Sequence, residues 1–447
     1  MNRQAATSKG IDKRLRDLRF GRLSEPRYAA NVDHELPVVL DTLVASMVTM
    51  ARSLRGVEQR TTQIIAKHPQ WHGLKRRIAD NTFGKLLPRL DMAALVKRLH
   101  DLVKAEYRRG NLAPTLLPFG AAAIDGKNVA TLHWHDLCRV LELDEQTAQP
   151  KKVKKLLAKK FPNLQFCIPK DGQPYALARV HTVTLVSANA AFCIHQRAIP
   201  GSTNEIGAMP ALLKELQTVY GRMGLFTLLT TDAGNTSLKV ATQIVKVMRL
   251  HYFAQIKCEH GELHKEAVRV LGKLKAREAD DSYVDTENGD VVTYRVWHHD
   301  LSKEGWLDWT HARQLTRVQR VAEHPTTGKK TVGNRYYVTS KDRTTLLPMD
   351  TLKISRAHWR CEEETHWTAD AMLQEDRRRL SWSRHPVGVF IVSVLRMMAL
   401  NILAVARRLS RLGYSPETPT WHQVAEHFML VLCGSTLLTE KFDAVSE

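Results

Sequence analysis

One stretch near the C-terminus carries the pattern from which the rest of the chain can be interpreted. Residues 355–379 read S-R-A-H-W-R-C-E-E-E-T-H-W-T-A-D-A-M-L-Q-E-D-R-R-R. The stretch has neither glycine nor proline, so it is predicted to be a helix. At 100° per residue, one mostly apolar face of that helix carries Trp359, Glu362, His366, Ala369 and Leu373. A carboxylate is therefore expected within an apolar stripe.

Glu362 is the residue that this stripe singles out. A buried carboxylate is costly unless a cation or hydrogen-bond donors meet it. Glu363 falls at the edge of the stripe and Glu364 points away from it, which is typical of solvated charges. Glu362 either pairs with an arginine such as Arg356, or lies at a wet rim, or has a functional partner elsewhere in the chain.

The composition favours a soluble protein with a polyanionic partner. The 447 residues include 66 lysines and arginines against 46 acidic residues, a net charge of +20, and the chain is long enough for two or three domains. Such a charge suggests nucleic acid first and a membrane surface second. A disordered tail or a small peptide scaffold is excluded.

The cysteines and the apolar segments point to a cytosolic protein. Six dispersed cysteines with no C-x-x-C motif indicate reduced thiols and no structural zinc site. The basic N-terminus is followed by no apolar run, so no signal peptide is evident. The apolar run 387–406 is interrupted by Arg396 and Asn401 and is predicted to be a buried helix rather than a membrane span.

Changes in composition and in the pattern of apolar residues divide the chain into five predicted regions. Residues 1–112 are expected to be helical, with helices at 36–55 and 92–108, and are either a DNA-binding module or a packing domain. Residues 113–260 carry alternating strand and helix patterns and include a lysine-rich insertion at 130–174. Residues 261–345 are predicted to be a β-rich insertion, residues 346–410 a pair of core helices, and residues 411–447 a C-terminal tail.

The middle region predicts a mixed α/β sheet. An apolar strand from 117 is expected to end at Asp125, and strands 175–187 and 190–199 to form a hairpin. A capping box at 202–205 opens a helix at 206–220. A strand at 225–231 runs into Asp232, and a helix at 237–250 and a strand at 252–257 follow. Functional groups gather near strand ends in such sheets, so Asp125 and Asp232 are candidates.

Three carboxylates can be considered together: Asp125 in I-D-G-K, Asp232 in T-T-D-A-G-N, and Glu362. Separately, Asp125 could belong to a hairpin turn and Asp232 could cap a helix. If the sheet brings the three together, divalent cations with oxygen ligands are the natural means of neutralising them. Two Mg²⁺ ions about 3.5 to 4 Å apart serve in-line phosphoryl transfer.

The sequence resembles the DDE transposases of bacterial insertion sequences, most closely the ISAs branch. The resemblance rests on I-D-G-K (124–127), S-T-N-E-I-G-A-M-P-A-L-L (202–213), T-T-D-A-G-N-T-S (230–237), N-R-Y-Y-V-T-S (334–340), R-A-H-W-R-C-E-E-E-T-H-W-T-A-D (356–370), Q-E-D-R (374–377) and V-L-R-M-M-A-L-N-I-L (394–403). It implies an α/β fold with an RNase H-like mixed-sheet catalytic core, a β-rich insertion and a helical N-terminal region.

The resemblance also implies a function and a site. The function is metal-dependent cleavage of DNA at the ends of an insertion sequence and strand transfer into target DNA. By position, Asp125 and Asp232 are the catalytic aspartates and Glu362 the catalytic glutamate, preferred over Glu363 because it follows R-x-H-W-x-x. The same three residues are expected to hold two Mg²⁺ ions, or Mn²⁺ in their place, with Asp125 bridging them.

Candidate DNA contacts come from the basic residues around this site. His358 and Arg356 are expected near the scissile phosphate, and Lys127 belongs to the I-D-G-K motif. The segment K-K-V-K-K-L-L-A-K-K from 151 reads as a phosphate-contacting helix or as a solvated surface helix; its candidates are Lys151, Lys152, Lys154 and Lys155. The histidines of H-W-H-D (133–136) and H-H-D (298–300) are interpreted as surface or structural.

Partners and alternatives follow from the same resemblance. The partners are double-stranded DNA, as element ends and as target, and a second copy of the chain, since synapsis joins two ends; no membrane is expected, and the location is the cytoplasm with the nucleoid. Two alternatives remain: a catalytically silent DNA-binding protein derived from a transposase, and a structure-selective nuclease with the same core. The chain departs from the family pattern in the 130–174 insertion, in Glu363 and Glu364, and in S-T-N-E, which lacks the customary lysine.

Overall fold

The N-terminal region is helical, as the sequence predicts. A computed structural model of the chain describes residues 3–301, 307–375, 385–408 and 419–434. Its first helices are α1 (Arg3–Leu18), α2 (Leu36–Val48), α3 (Leu54–Lys67), α4 (Asp80–Leu86) and α5 (Met92–Arg108). The predicted helix 36–55 is divided into two, because Met50 adopts a left-handed conformation with φ of 62° and the Ser53 side chain caps the new helix α3.

The central sheet has the strand order of an RNase H-like core. The core strands are β1 (Ala121–Leu132), β3 (Tyr175–Leu185), β4 (Phe192–Ala198), β5 (Leu228–Thr231) and β6 (His251–Ile256), and β2 (Leu164–Cys167) lies at the outer edge of β3. Strand β1 pairs antiparallel with β3 and parallel with β5, β3 pairs antiparallel with β4, and β5 pairs parallel with β6. The predicted mixed sheet and its hairpin are confirmed.

The prediction that the first strand ends at Asp125 is wrong. Strand β1 continues for seven residues beyond it, to Leu132, because its backbone stays paired with β3 from Ala122 to Leu132. The pairing shifts register between Asn128 and Ala130, as at a bulge. Asp125 therefore lies within a strand. The helices α6 (Trp134–Leu141) and α7 (Pro150–Lys160) and the edge strand β2 follow, within the lysine-rich segment.

Helices complete the first part of the core. Helix α8 (Glu205–Tyr220) follows β4, and α9 (Leu238–Thr242) continues into a π-helical turn (Gln243–Val247) before β6. The predicted helices at 206–220 and 237–250 are thus confirmed in place. The N-cap of α8 is Asn204, whose side chain accepts a hydrogen bond from Gly207 N at 2.9 Å, so the predicted capping box at 202–205 is wrong.

The β-rich segment extends the same sheet. Helix α10 (Gly261–Leu271) leads into β7 (Asp281–Glu287), β8 (Asp290–Asp300), β9 (Gln314–Glu323) and β10 (Lys330–Thr339). These strands form an antiparallel meander, and β10 pairs antiparallel with β6 through Val338 and Ala254. The insertion is thereby joined by hydrogen bonds to the core edge, which fixes it beside the ends of β1 and β5.

The stretch 355–379 is helical, but it is not one regular helix. It comprises the end of α11 (Pro348–Ala357), a π-helical turn (Cys361–His366) and α12 (Trp367–Leu373). The helix ends at Leu373 rather than continuing to 379, because Gln374 adopts the left-handed conformation that commonly terminates helices. Residues 376–379 of the predicted helix lie outside the described residues.

Two further helices close the core. Helix α13 (Gly388–Arg408) is apolar enough to cross a membrane, yet 94% of its most apolar window is buried inside the protein, which confirms the prediction of a buried helix. Its polar residues are paired: Asn401 donates to Cys193 O and accepts from Cys193 N. Helix α14 (Trp421–Cys433) contacts α1, α3 and α13, so residues 421–433 are a packed helix and the prediction of a tail is wrong there.

Candidate active site

A large cleft lies between the core and the β-rich insertion. Its volume is about 1620 Å³. The core side is formed by β1 and by the segment 355–370, and the insertion side by residues of β7 to β10. Asp125, Glu362 and His366 line the core side, and Arg335 lines the opposite side. A space of this size between two walls of one sheet can admit an extended polymer as well as a small ligand.

Asp125 is held firmly at the floor of this cleft. Its side chain is buried, and its Oδ2 lies 3.3 Å from Nδ1 of His366. Its Oδ1 accepts a hydrogen bond of 2.8 Å from Gly126 N. Burial by itself would raise the pKa of Asp125, but the hydrogen bond and the charge of His366 outweigh it and lower that pKa. Asp125 is therefore an anion in a fixed orientation.

Asp232 lies beside Asp125 at the end of the neighbouring strand. Ile124 and Thr231 are partners in the parallel pairing of β1 with β5, so the two aspartates follow at adjacent positions. Oδ1 of Asp232 accepts hydrogen bonds from Asn235 N at 3.0 Å and from Asn235 Nδ2 at 2.9 Å. Asp232 thus caps a 3₁₀ turn, in line with the prediction that it could cap a helix. The strand pairing also brings it next to Asp125.

Glu362 projects from the π-helical turn into the cleft. Its carboxylate makes no hydrogen bond and no ion pair within the described part of the chain, and it is exposed to the cleft. Partial burial, together with the carboxylates of Asp125 and Asp232, raises the pKa of Glu362. A π-helical turn often marks a functional site. Of the three adjacent glutamates in this turn, Glu362 is the one that faces the two aspartates.

The two neighbouring glutamates have different surroundings. Glu364 accepts a hydrogen bond of 2.7 Å from Nε of Arg360 and lies 3.2 Å from Arg408. Arg360 also donates to the carbonyl oxygens of Val186, Ala188 and Asn189, so this pair anchors the helix to the loop after β3. Glu363 has an exposed side chain; partial desolvation at the cleft and the neighbouring charge of Glu364 raise its pKa. Neither interacts with the aspartates as Glu362 does.

Sequence reasoning missed a fourth carboxylate near the aspartates, that of Glu205. Asn235 Nδ2 donates to Oε2 of Glu205 at 3.3 Å as well as to Asp232. Partial burial and the carboxylates of Asp125 and Asp232 raise the pKa of Glu205. The signal was present in S-T-N-E-I, but the capping-box interpretation assigned this glutamate to the backbone of its own helix.

The four carboxylates have the ligand chemistry that a hard divalent cation requires, although they do not surround a single point. Every candidate ligand is a carboxylate oxygen, which is what Mg²⁺ and Mn²⁺ prefer. Among the residues described, no three acidic, histidine or cysteine side chains converge on one point. Like charges repel without a cation between them, so an open arrangement of these anions is expected. Nε2 of the buried His358 nearby has no partner in the described part of the chain.

Lys127 is placed differently from its prediction as a DNA contact. Its ammonium is buried and lies 2.8 Å from Asp370 Oδ1 and 2.8 Å from Glu375 Oε2. It also donates to the carbonyl oxygen of His366 at 3.1 Å. Because three acceptors already surround it, this ammonium is engaged in joining β1 to helix α12 and the residues that follow.

Arg356 and His358 lie on opposite sides of their helix. Arg356 pairs with Glu287 of the insertion and lies 4.8 Å over the ring of Tyr294, so it does not neutralise Glu362. His358 is buried, and its Nδ1 shares a hydrogen bond of 3.2 Å with Oγ1 of Thr230 on β5. Burial lowers the pKa of His358. The structure thus gives both residues protein partners.

The remaining basic candidates face solvent. Helix α7 buries only Val153 and Leu157 fully, and its lysines, including Lys151, Lys152, Lys154 and Lys155, are exposed. On the cleft wall, the exposed Arg335 lies 4.3 Å over the ring of Trp359, and Trp367 is 63% exposed. Sequence reasoning did not select Arg335 or Trp367, because an exposed arginine or tryptophan has no periodic signature.

A known family matches the part of the chain that forms this site. The model of the family described as "Transposase DDE domain" matches residues 123–402, which is more than half of the chain. The match begins within β1, two residues before Asp125, and ends within α13, so it includes the cleft and all four carboxylates.

Two curated relatives are proteins of Escherichia coli (strain K12). "Putative protein YbfL" and "H repeat-associated putative transposase YhhI" are each 27% identical over 235 residues, which is 50% of this chain and 58% of either relative. The chain therefore matches little more than half the length of these relatives. A cryo-EM structure of the piggyBac transposase synaptic complex with hairpin DNA aligns over 96% of this chain and 77% of that chain, with 12% identity and a TM-score of 0.44.

Proposed function

This chain belongs to the family of transposases with a DDE domain, and we propose that it cuts DNA at the ends of a mobile element and joins those ends to target DNA. The observation that supports the proposal is that Asp125, Asp232 and Glu362 lie close enough for the charges of the two aspartates to raise the pKa of Glu362. They come from three elements that are distant in sequence: β1, the end of β5 and the π-helical turn. The narrower assignment to the ISAs branch stays a prediction.

The three carboxylates are proposed to hold two Mg²⁺ ions, or Mn²⁺ in their place. When bound, these ions would activate the attacking oxygen and stabilise the leaving oxygen of an in-line displacement at phosphorus. Glu362 supports this role because its carboxylate has no protein partner in the described residues. Asp125 supports it because His366 fixes the carboxylate orientation, and a ligand fixed in advance loses less freedom on binding.

DNA is the proposed partner of the basic surface. The net charge of +20 and the exposed lysines of α7 suit phosphate contacts, which position a protein without reading sequence. Arg335 and Trp367 on the cleft wall could contact a phosphate and a base respectively. A reaction that brings two element ends together requires two active sites, so we propose a homodimer on DNA, in the cytoplasm with the nucleoid.

Two other functions would use the same core. A catalytically silent DNA-binding protein would keep the fold and the charge without turnover. A structure-selective nuclease would cleave DNA without joining it. The presence of all three carboxylates at one site argues against the first, and the match to a transposase family argues against the second.

The experiment that separates these functions is a cleavage and joining assay. A plasmid that carries the gene's own flanking DNA is incubated with the protein, Mg²⁺ and a second target plasmid. A transposase gives cuts at the flanks and covalent joints to the target. Cuts without joints would favour the nuclease, and retarded DNA without cuts would favour the silent binding protein.

A further inference from the structure

The side chain of Glu205 points in a direction that is unusual for a glutamate at the start of a helix. It is the first residue of α8, where a carboxylate is favoured by the helix dipole. The cap, however, is made by Asn204, so the helix does not use the Glu205 carboxylate as a backbone partner. The dipole explains why an acid is tolerated here, but it does not explain where the carboxylate lies.

The Glu205 carboxylate lies against the backbone of Gly126, the residue after Asp125. A Cβ atom at position 126 would be 2.3 Å from Cδ of Glu205 and 2.5 and 2.6 Å from its two oxygens. These separations are far shorter than any van der Waals contact. Glycine at 126 therefore leaves room for the carboxylate in this position, and any larger residue there would force it to move.

Asn235 links the same carboxylate to Asp232. Its single Nδ2 atom donates to Asp232 Oδ1 at 2.9 Å and to Glu205 Oε2 at 3.3 Å. The two anions are thus held within reach of one nitrogen. An amide carries no net charge, so it orients these oxygens without neutralising them.

Among the described residues, no cation forms an ion pair with Glu205 or Asp232. The charge of Arg179 acts on Glu205 without such a contact, and its Nη2 instead donates to the carbonyl oxygen of Thr203 at 2.9 Å. Asn235 and Gly126 hold the carboxylates of Glu205 and Asp232 close together. Two carboxylates at this separation repel each other, so their charge requires a compensating cation.

We infer that Glu205 is a fourth carboxylate ligand of the divalent cations, alongside Asp125, Asp232 and Glu362. The inference rests on the proposed function, since it concerns the same metal site. Glu205 would bring an additional negative charge to the side of the site formed by Asp232, which would tighten metal binding and so keep the site loaded at low metal concentration.

The test is Mn²⁺ binding measured by calorimetry on the full chain after removal of metal with a chelator. Wild type is compared with Glu205→Gln, with Asp232→Asn, and with Glu262→Gln as the matched control. Glu262 is also a glutamate in the first turn of a helix, but it is exposed and pairs with Lys265. We expect Glu205→Gln to weaken Mn²⁺ binding by about tenfold or more, as loss of a metal-site residue does, and Glu262→Gln to leave it unchanged.

A second variant protects the test against a folding defect. Glu205→Asp keeps the charge but withdraws the carboxylate by one methylene, so its Mn²⁺ affinity should fall between those of wild type and Glu205→Gln. Near-ultraviolet circular dichroism checks that the folds agree. Equal Mn²⁺ affinity in wild type and both Glu205 variants, with loss in Asp232→Asn, would overturn the inference and leave the proposed function intact. Failure of wild type to bind Mn²⁺ at all would overturn both.

Discussion

The imidazole of His366 joins Asp125 to the helical segment that carries Glu362. Its Nδ1 lies 3.3 Å from Oδ2 of Asp125, and its Nε2 shares a hydrogen bond with Thr182, the residue paired with Asp125 across β1 and β3. Glu362 precedes His366 by about one turn of the same π-helical segment. The positions of Asp125 and Glu362 are therefore coupled through one side chain.

The choice among the three adjacent glutamates is the first prediction. Glu362→Gln should abolish DNA cleavage and spare DNA binding, since the amide keeps the shape but loses the charge needed to hold a divalent cation. Glu363→Gln is the matched control and should cleave at a rate close to wild type. The measurement is a cleavage time course together with a gel-shift titration; cleavage retained in Glu362→Gln and lost in Glu363→Gln would reassign the site.

Replacement of Lys127 should affect stability rather than DNA binding. Among the described residues, Lys127→Met leaves Glu375, whose side chain is 1% exposed, with the more distant Arg396 at 3.5 Å as its one remaining cation. Breaking a buried pair from one side costs about 3 to 5 kcal/mol of unfolding free energy. Denaturant unfolding measures this, and the double variant Lys127→Met with Glu375→Leu should recover part of the loss. Unchanged stability with weaker DNA binding would restore Lys127 as a DNA contact.

The exposed lysines of α7 should govern the salt dependence of DNA binding. Replacing Lys151, Lys152, Lys154 and Lys155 with glutamine should reduce the slope of log affinity against log salt by about 0.9 for each lysine that neutralises a phosphate. Stability should not change, because all four are exposed. Lys265→Gln, which removes another exposed lysine, is the control. An unchanged slope in the fourfold variant would mean that α7 is only a solvated surface helix.

A pH-dependent contribution to stability is expected in the N-terminal helices. His72 lies 3.1 Å from Asp12 of α1 and 3.0 Å from Asp41 of α2. Burial alone would lower the pKa of His72, but the hydrogen bonds to Asp12 and Asp41 raise it to about 9. Because the folded pKa exceeds the unfolded value of about 6.5, the stabilisation is complete below about pH 6.5 and is lost as the pH rises through about 9.

The variant His72→Asn tests this contribution, since asparagine tolerates the left-handed backbone at this position. It should be less stable than wild type by on the order of 3 kcal/mol near pH 6, and the difference should shrink toward pH 9 and above. Denaturant midpoints across this range measure it. A difference that is constant with pH would contradict an ion pair and indicate packing alone.

Much of the core could be predicted because its local patterns agree with its tertiary environment. The hairpin of β3 and β4, helix α5 and the strand before Asp232 follow from alternation, helical spacing and an apolar run that ends at a polar residue. Their buried faces are long enough for the pattern to be unambiguous. The helical spacing and the family resemblance both selected Glu362, which lines the cleft with Asp125 and whose pKa the charges of both aspartates raise.

The errors have a common physical origin in contacts that are distant in sequence. The extension of β1 beyond Asp125 depends on pairing with β3, about 50 residues later, and the engagement of Lys127 depends on Asp370 and Glu375. A π-helical turn has no local signature either. Glu205 was assigned to its own helix because a local capping rule fitted it, whereas its position depends on the absence of a side chain at Gly126.

The measurement that tests the central claim most directly compares wild type with Asp232→Asn. Both are incubated with Mg²⁺ and a plasmid that carries the gene's flanking DNA, and nicked, linear and joined products are followed over time. The account predicts products at the flanks for wild type only, with equal binding of the flanking DNA by both proteins. Cleavage by Asp232→Asn at the wild-type rate would contradict it, because the acidic site described here would then not be the site of the reaction.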